Sequence, residues 1–197
     1  MARPEKQNKM AWYIAGFLAA IMILSVFGIV LSNPSDTTQH FTYGDYSFSY
    51  NQKSFRYETE LKGKKVSFNF LPQDVKHLTL DSGALAQFRL VRVLAVSYDP
   101  RDIDAPSLGE MQFYAEQDLY DSNSIFVQRG LTYAEGYSLP EITCANATPA
   151  IPVLTIQFAN QSGFRGDGSC FFLEGISRNE LKQYYDRIRY ALYGVMN

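Results

Sequence analysis

The chain has 197 residues, with 18 Lys and Arg against 20 Asp and Glu, a net charge of −2 at pH 7. Beyond residue 32 the balance is 15 basic to 19 acidic side chains, a net −4, so the basic footprint of a nucleic-acid binder is missing and no nucleic-acid partner is expected. Two histidines, His40 and His77, and two cysteines, Cys144 and Cys170, are too few and too scattered for a zinc site.

Residues 10–31 carry no charge over 22 positions. About 20 apolar residues in helix cross a bilayer, so the reading is a transmembrane helix over 10–32. A tail at 1–9 and a linker at 33–40 flank it, and an extracytoplasmic domain fills 41–197. Arg3, Lys6 and Lys9 precede the run, and the next positive charge is Lys53. This asymmetry puts the N-terminus in the cytoplasm and the C-terminal domain outside a single-pass cell membrane protein. A cleaved signal peptide is the competing reading, but its apolar region is shorter, about 7–15 residues. The lipid bilayer is thus an expected partner. Small residues at Ala11, Ala15 and Ala19 would let two such helices approach closely.

Beyond residue 33 lie about 165 residues, enough for one domain with its own core. In 42–50, Tyr46, Phe48 and Tyr50 alternate with Ser47 and Ser49; alternation resumes at 55–61 and at Val66, Phe68 and Phe70 after a Lys62-Gly63-Lys64 turn. A period of two predicts antiparallel strands with one buried face. A short helix is expected over 81–88 and a more apolar strand over 90–96. Ser107 and Glu110 have capping-box spacing, opening a helix with Met111, Tyr114, Ala115 and Leu119 on one face. Strands are expected near 124–129, 141–145, 152–159 and 169–174. A second capping box, Ser177 to Glu180, opens the last helix, whose apolar face is Leu181, Tyr184, Tyr185, Ile188, Ala191, Leu192 and Val195. The order predicts an α+β fold: helices packed on a mostly antiparallel sheet.

Outside the cytoplasm, Cys144 and Cys170 most simply pair as a structural disulfide. Asn146 and Asn160 head Asn-x-Ser/Thr triplets and are candidate glycosylation sites. Arg165-Gly166-Asp167 has the form of an adhesive triplet, but in a glycine-rich stretch it reads as a hairpin turn leading to Cys170. Asp99 to Glu110 has the length of a calcium loop, yet Arg101, Ile103 and Asp104 stand where ligands and a glycine are needed. No nucleophile motif, metalloprotease motif or phosphate-binding glycine loop occurs, and Asp118 with Asp121 read as solvated carboxylates. No catalytic residue, cofactor or metal is assigned.

The segments Ile142–Thr148, Pro152–Leu154, Ser169–Gly175 and Tyr185–Met196 together resemble uncharacterised single-span extracytoplasmic proteins of archaea. The resemblance covers the C-terminal third; it implies an anchor and paired cysteines, and carries no catalytic residue. The function expected is a membrane-anchored interaction module, an accessory or structural component of the cell envelope whose partners are other envelope proteins. A small-ligand-binding or sensor domain is the alternative, and an extracytoplasmic enzyme the third. A flat aromatic face would favour the first, a deep pocket the others.

Overall fold

The computed structural model describes the backbone of residues 9–31 and 39–196, with side chains for 12–25 and for 39–196 apart from Ser122. The chain divides into two units, residues 1–38 and 39–197. The first holds helix α1, Lys9–Leu31. The expected transmembrane helix is overturned: among the described residues no helix is long and apolar enough to cross a membrane. Ala15 and Ala19 are exposed on α1. The side chain of Ala11, residues 1–8 of the expected tail and 33–38 of the expected linker lie outside the described residues.

The second unit opens with a four-stranded antiparallel meander, β1 (His40–Tyr43), β2 (Tyr46–Asn51), β3 (Arg56–Leu61) and β4 (Lys64–Phe68). The alternation read as one strand over 42–50 is a hairpin, folded at Gly44, whose φ of +56° suits glycine. Lys62 and Gly63 both take positive φ, the backbone that a two-residue turn needs to follow strand twist. The meander turns Phe48 and Phe68 inward, where they are fully buried.

Helices α2 (Pro72–Val75) and α3 (Ser82–Phe88) follow; the Asp81 side chain caps α3 by accepting from the N–H groups of Gly83 and Ala84. Strand β5 (Val93–Tyr98) leads into α4 (Ala105–Asn123). Helix α4 begins two residues before the expected capping box, and Ser107 instead donates its hydroxyl to Asp104 at 2.8 Å. Strands β6 (Phe126–Leu131), β7 (Val153–Phe158), β8 (Gly163–Asp167) and β9 (Cys170–Gly175) precede α5 (Arg178–Tyr193). Here the Ser177 oxygen accepts from the Glu180 N–H as expected.

These strands form a second sheet in the order β6-β5-β7-β9-β8. The expectation of a mostly antiparallel sheet is corrected for this half: β6, β5, β7 and β9 run parallel, and only β8 is antiparallel. The α+β class stands. The physical reason lies in Leu94–Val96, Val153–Ile156 and Phe171–Leu173, mostly buried runs covered on both faces, as parallel strands require. One face packs on α3, α4 and α5 through Leu94, Val96, Leu154, Ile156 and Leu173. The other is roofed by the segment after β6, where Ile142 covers Ala95, Val153 and Cys170. The crossovers β5 to β6 and β6 to β7 thus use opposite faces, which lets both keep the right-handed sense as direction reverses. The strand expected at 141–145 is a single bridge, Leu131 to Glu141, followed by a 3-10 turn at Cys144–Asn146. The Arg165-Gly166-Asp167 triplet lies within β8, and the turn sits at Gly168, φ +58°.

Helix α5 is the centre of this unit. Leu181, Tyr184, Tyr185, Ile188 and Ala191 face the mixed sheet, while Tyr190 and Tyr193 face the meander. Phe68 stacks on Tyr190 with ring centroids 4.0 Å apart. Gly175 lets β9 approach this helix, since a Cβ there would lie 2.7 Å from Leu181.

Candidate interaction surface

Strand β6 is an edge strand. It pairs with β5 on one side only, by a parallel ladder from Val93–Phe126 to Tyr98–Leu131. Phe126 N–H donates to Arg92 and Thr132 N–H donates to Tyr98, so the even-numbered residues of β6 direct their backbone groups to β5. By the alternation of a strand, Val127, Arg129 and Leu131 direct theirs outward. At Leu131 the outward groups are used: its N–H donates to Pro140 at 2.9 Å and its carbonyl accepts from Ile142 at 2.7 Å. At Val127 and Arg129 nothing among the described residues pairs with them. An unpaired edge is a template for another strand.

Beside this edge runs the outer face of α4. Its buried face, Leu108, Met111, Ala115 and Leu119, packs on the mixed sheet. The outer positions Phe113, Glu116, Gln117, Tyr120 and Asp121 recur at i, i+3, i+4, i+7 and i+8, the spacing of a second stripe. With Phe126 and Val127 they line an open groove of about 650 Å³. Phe113, Tyr120 and Phe126 are 45%, 55% and 64% exposed. Tyr120 and Phe126 meet edge to face at 5.7 Å. Glu116 is held by Arg129 at 3.2 Å.

Of the other edge strands, β1, β4 and β8, the last two meet neighbouring elements. The Phe164 carbonyl of β8 accepts from Asp81 N–H, and Ala84 of α3 sits against Gly166. Lys64 of β4 donates to the Asp121 carbonyl at the end of α4. Short edges, charge and covering segments are the usual means of preventing unwanted pairing; β6 is covered at its Leu131 end by residues 140–142, and its one charged side chain, Arg129, is drawn to Glu116 of α4.

The residues singled out in the sequence fall elsewhere. Cys144 and Cys170 form a disulfide with Cα atoms 5.4 Å apart, within the ordinary range of about 4.4–6.8 Å; it fastens the roof segment to the start of β9. Asn146 and Asn160 are exposed, and the Asn146 carboxamide oxygen accepts from Thr143 N–H at 2.8 Å. His40 and His77 are exposed. Asp99 is clamped by Arg101, which lowers its pKa through hydrogen bonding, and Asp104 pairs with Arg178 at 2.8 Å. Among the described residues no group of acids, histidines and cysteines is arranged to hold a metal.

Asp118 is a correction. It is not solvated: it lies 3.2 Å from Arg189 and 3.5 Å from Arg56. Arg189 also donates to the Ser67 carbonyl at 2.8 Å and faces Asp186 at 3.4 Å, and its guanidinium covers the Phe68 ring at 4.5 Å. Asp186 accepts from the N–H groups of Asn69 and Phe70 at 2.6 and 3.0 Å. Burial nevertheless pushes the Asp186 carboxyl up to about 6. This cluster fastens the meander to α4 and α5; every member is turned inward. Comparison of the chain with family models, curated proteins and solved structures returns no match.

Proposed function

We propose that residues 39–197 form an extracytoplasmic interaction module, an accessory or structural part of a cell envelope, that binds protein through the β6 edge and the outer face of α4. The observation carrying this reading is the coincidence of unpaired backbone groups at Val127 and Arg129 with exposed Phe113, Tyr120 and Phe126. Main-chain pairing supplies affinity in strand addition, and adjacent side-chain pockets supply selectivity. Aromatic residues are enriched at the centres of interfaces. The disulfide supports the compartment, because such bonds persist where the surroundings are oxidising.

The test is a photo-reactive phenylalanine analogue placed at Phe126 of the full chain in its native cells, with Lys53 as the control position. A discrete protein adduct from Phe126 and none from Lys53 is expected. No adduct from Phe126, or equal labelling at both, overturns the reading.

A further inference from the structure

We infer that the amino-terminal end of the mixed sheet holds a binding site for an apolar carboxylate, with Arg92 as the residue that takes its charge. The site shares no residue with the groove beside β6. Three observations carry it.

The first is an opening in the sheet. The ladder from β5 to β6 starts at Val93, whereas the ladder from β5 to β7 starts only at Ala95. The reason is Pro152. The Ala95 N–H donates to the Pro152 carbonyl at 2.9 Å, and the rung before it would need an N–H from Pro152 itself, which proline lacks. Residues 148–151 turn on themselves instead. Thr148 N–H donates to the Ile151 carbonyl at 3.1 Å, and Ile151 N–H donates to the Thr148 hydroxyl at 3.0 Å. Where the ladder fails, a cavity of about 450 Å³ lies between the approach to β5 and the start of β9. That volume suits a small ligand or one end of a larger one.

The second is the lining. Val91 and Phe171 are walls only 7% and 2% exposed, while Leu90 beside them is 78% exposed. An apolar surface therefore runs from the core to the mouth. Pro149 and Pro152 fix φ at two points of the rim. The Cys144–Cys170 disulfide anchors the residue that follows Ser169. The cavity is thus largely preformed, as small-ligand sites usually are.

The third is charge. Arg92 lines the cavity and is exposed. It donates to the Val91 carbonyl at 3.3 Å, which keeps the guanidinium beside the apolar wall. Among the described residues every ion pair uses another cation, so no acid neutralises Arg92. A guanidinium is a planar fork that matches a carboxylate through two parallel hydrogen bonds. The Ser169 hydroxyl also lines the site and can donate a third. One cation set against apolar walls fits one carboxylate on an apolar body. A free monocarboxylic acid and the terminal residue of a peptide both present that chemistry.

The test titrates the full chain with 4-methylpentanoate, with its neutral amide, and with a short peptide ending in Leu as the free acid or the amide. Binding is read from backbone amide shifts. Saturable shifts at Val91 and Ser169 are expected with at least one of the free acids, and the matching amide is expected to bind about tenfold more weakly or worse. Arg92→Gln should lose that preference, so that acid and amide bind alike, whereas Lys53→Gln should keep it. Saturation by the peptide acid alone would assign the site to a chain terminus, and saturation by 4-methylpentanoate would assign it to a free acid. No saturable shift at Val91 and Ser169 with either acid would overturn the inference. So would equal binding of acid and amide to the native chain.

Discussion

Arg189 on α5 reaches Asp118 on α4 at 3.2 Å in an environment from which solvent is nearly excluded. The same guanidinium holds the Ser67 carbonyl of β4, so one side chain joins two helices and the meander. Its Nε and Nη2 atoms find no hydrogen-bond partner among the described residues; the face of the group rests on Phe68 instead. Removing one member of a buried pair leaves the other charge uncompensated. Arg189→Ala is expected to lower the unfolding free energy by about 3–5 kcal/mol, measured by urea denaturation. A loss under about 1 kcal/mol, the worth of a surface pair, would show the cluster to be solvated.

Asp186 predicts a pH dependence of unusual sign. Its carboxyl is raised from 3.8 to about 6 by burial, which outweighs Arg189 and the two backbone N–H groups. The folded state therefore holds this proton more tightly than the unfolded chain. The contribution is complete below about pH 4 and is lost as pH rises through 6, about 3 kcal/mol in all. The stability difference between the native chain and Asp186→Asn should accordingly move in favour of Asn by that order as pH rises from 4 to 7. A difference that is flat, or that moves the other way, would mean the carboxyl is ionised throughout.

The disulfide closes a loop with a sequence separation of 26, for which chain entropy gives roughly 3.5 kcal/mol. Cys144→Ser, Cys170→Ser and the double variant should all lose a similar amount in thermal unfolding, because each removes the same crosslink. A single variant much worse than the double would point to the remaining thiol, not to the crosslink.

Gly130 allows Ile142 to lie over the back of the sheet: a Cβ at Gly130 would come within 2.6 Å of the Ile142 side chain. Gly130→Ala is expected to cost about 1–3 kcal/mol through overpacking. Ile142→Ala in the same chain should recover part of that loss, and additive losses in the double variant would separate the two residues.

Some of this was legible in the sequence and some was not, for physical reasons. The period of two through Phe48 and Phe68 reports a buried face, and the meander followed from it. Ser177 and Gly194 marked the ends of α5 through backbone groups they alone satisfy or conformations they alone tolerate. The cysteines paired because little else could use them. Parallel order was hidden, since Leu94–Val96 reads equally as a strand with neighbours in either direction. Strand β8 was hidden by its glycines, Gly163 and Gly166. The exposed aromatic stripe was hidden because Phe113 and Tyr120 share α4 with a core stripe of the same composition, and only the structure separates the buried positions from the exposed ones. Asp118 looked like its neighbour Asp121 until Arg189, 71 positions further along, came to meet it.

The central claim, that the outer edge of β6 is an interface, is tested most directly by amide hydrogen exchange at Val127 and Arg129 in the full chain alone and in the complex captured through Phe126 from its native cells. These two N–H groups point away from β5, whereas Phe126 and Gln128 donate into the ladder. The account predicts fast exchange at Val127 and Arg129 in the chain alone and protection in the complex, with Phe126 and Gln128 protected throughout. Exchange at Val127 and Arg129 that stays equally fast in the captured complex would contradict it.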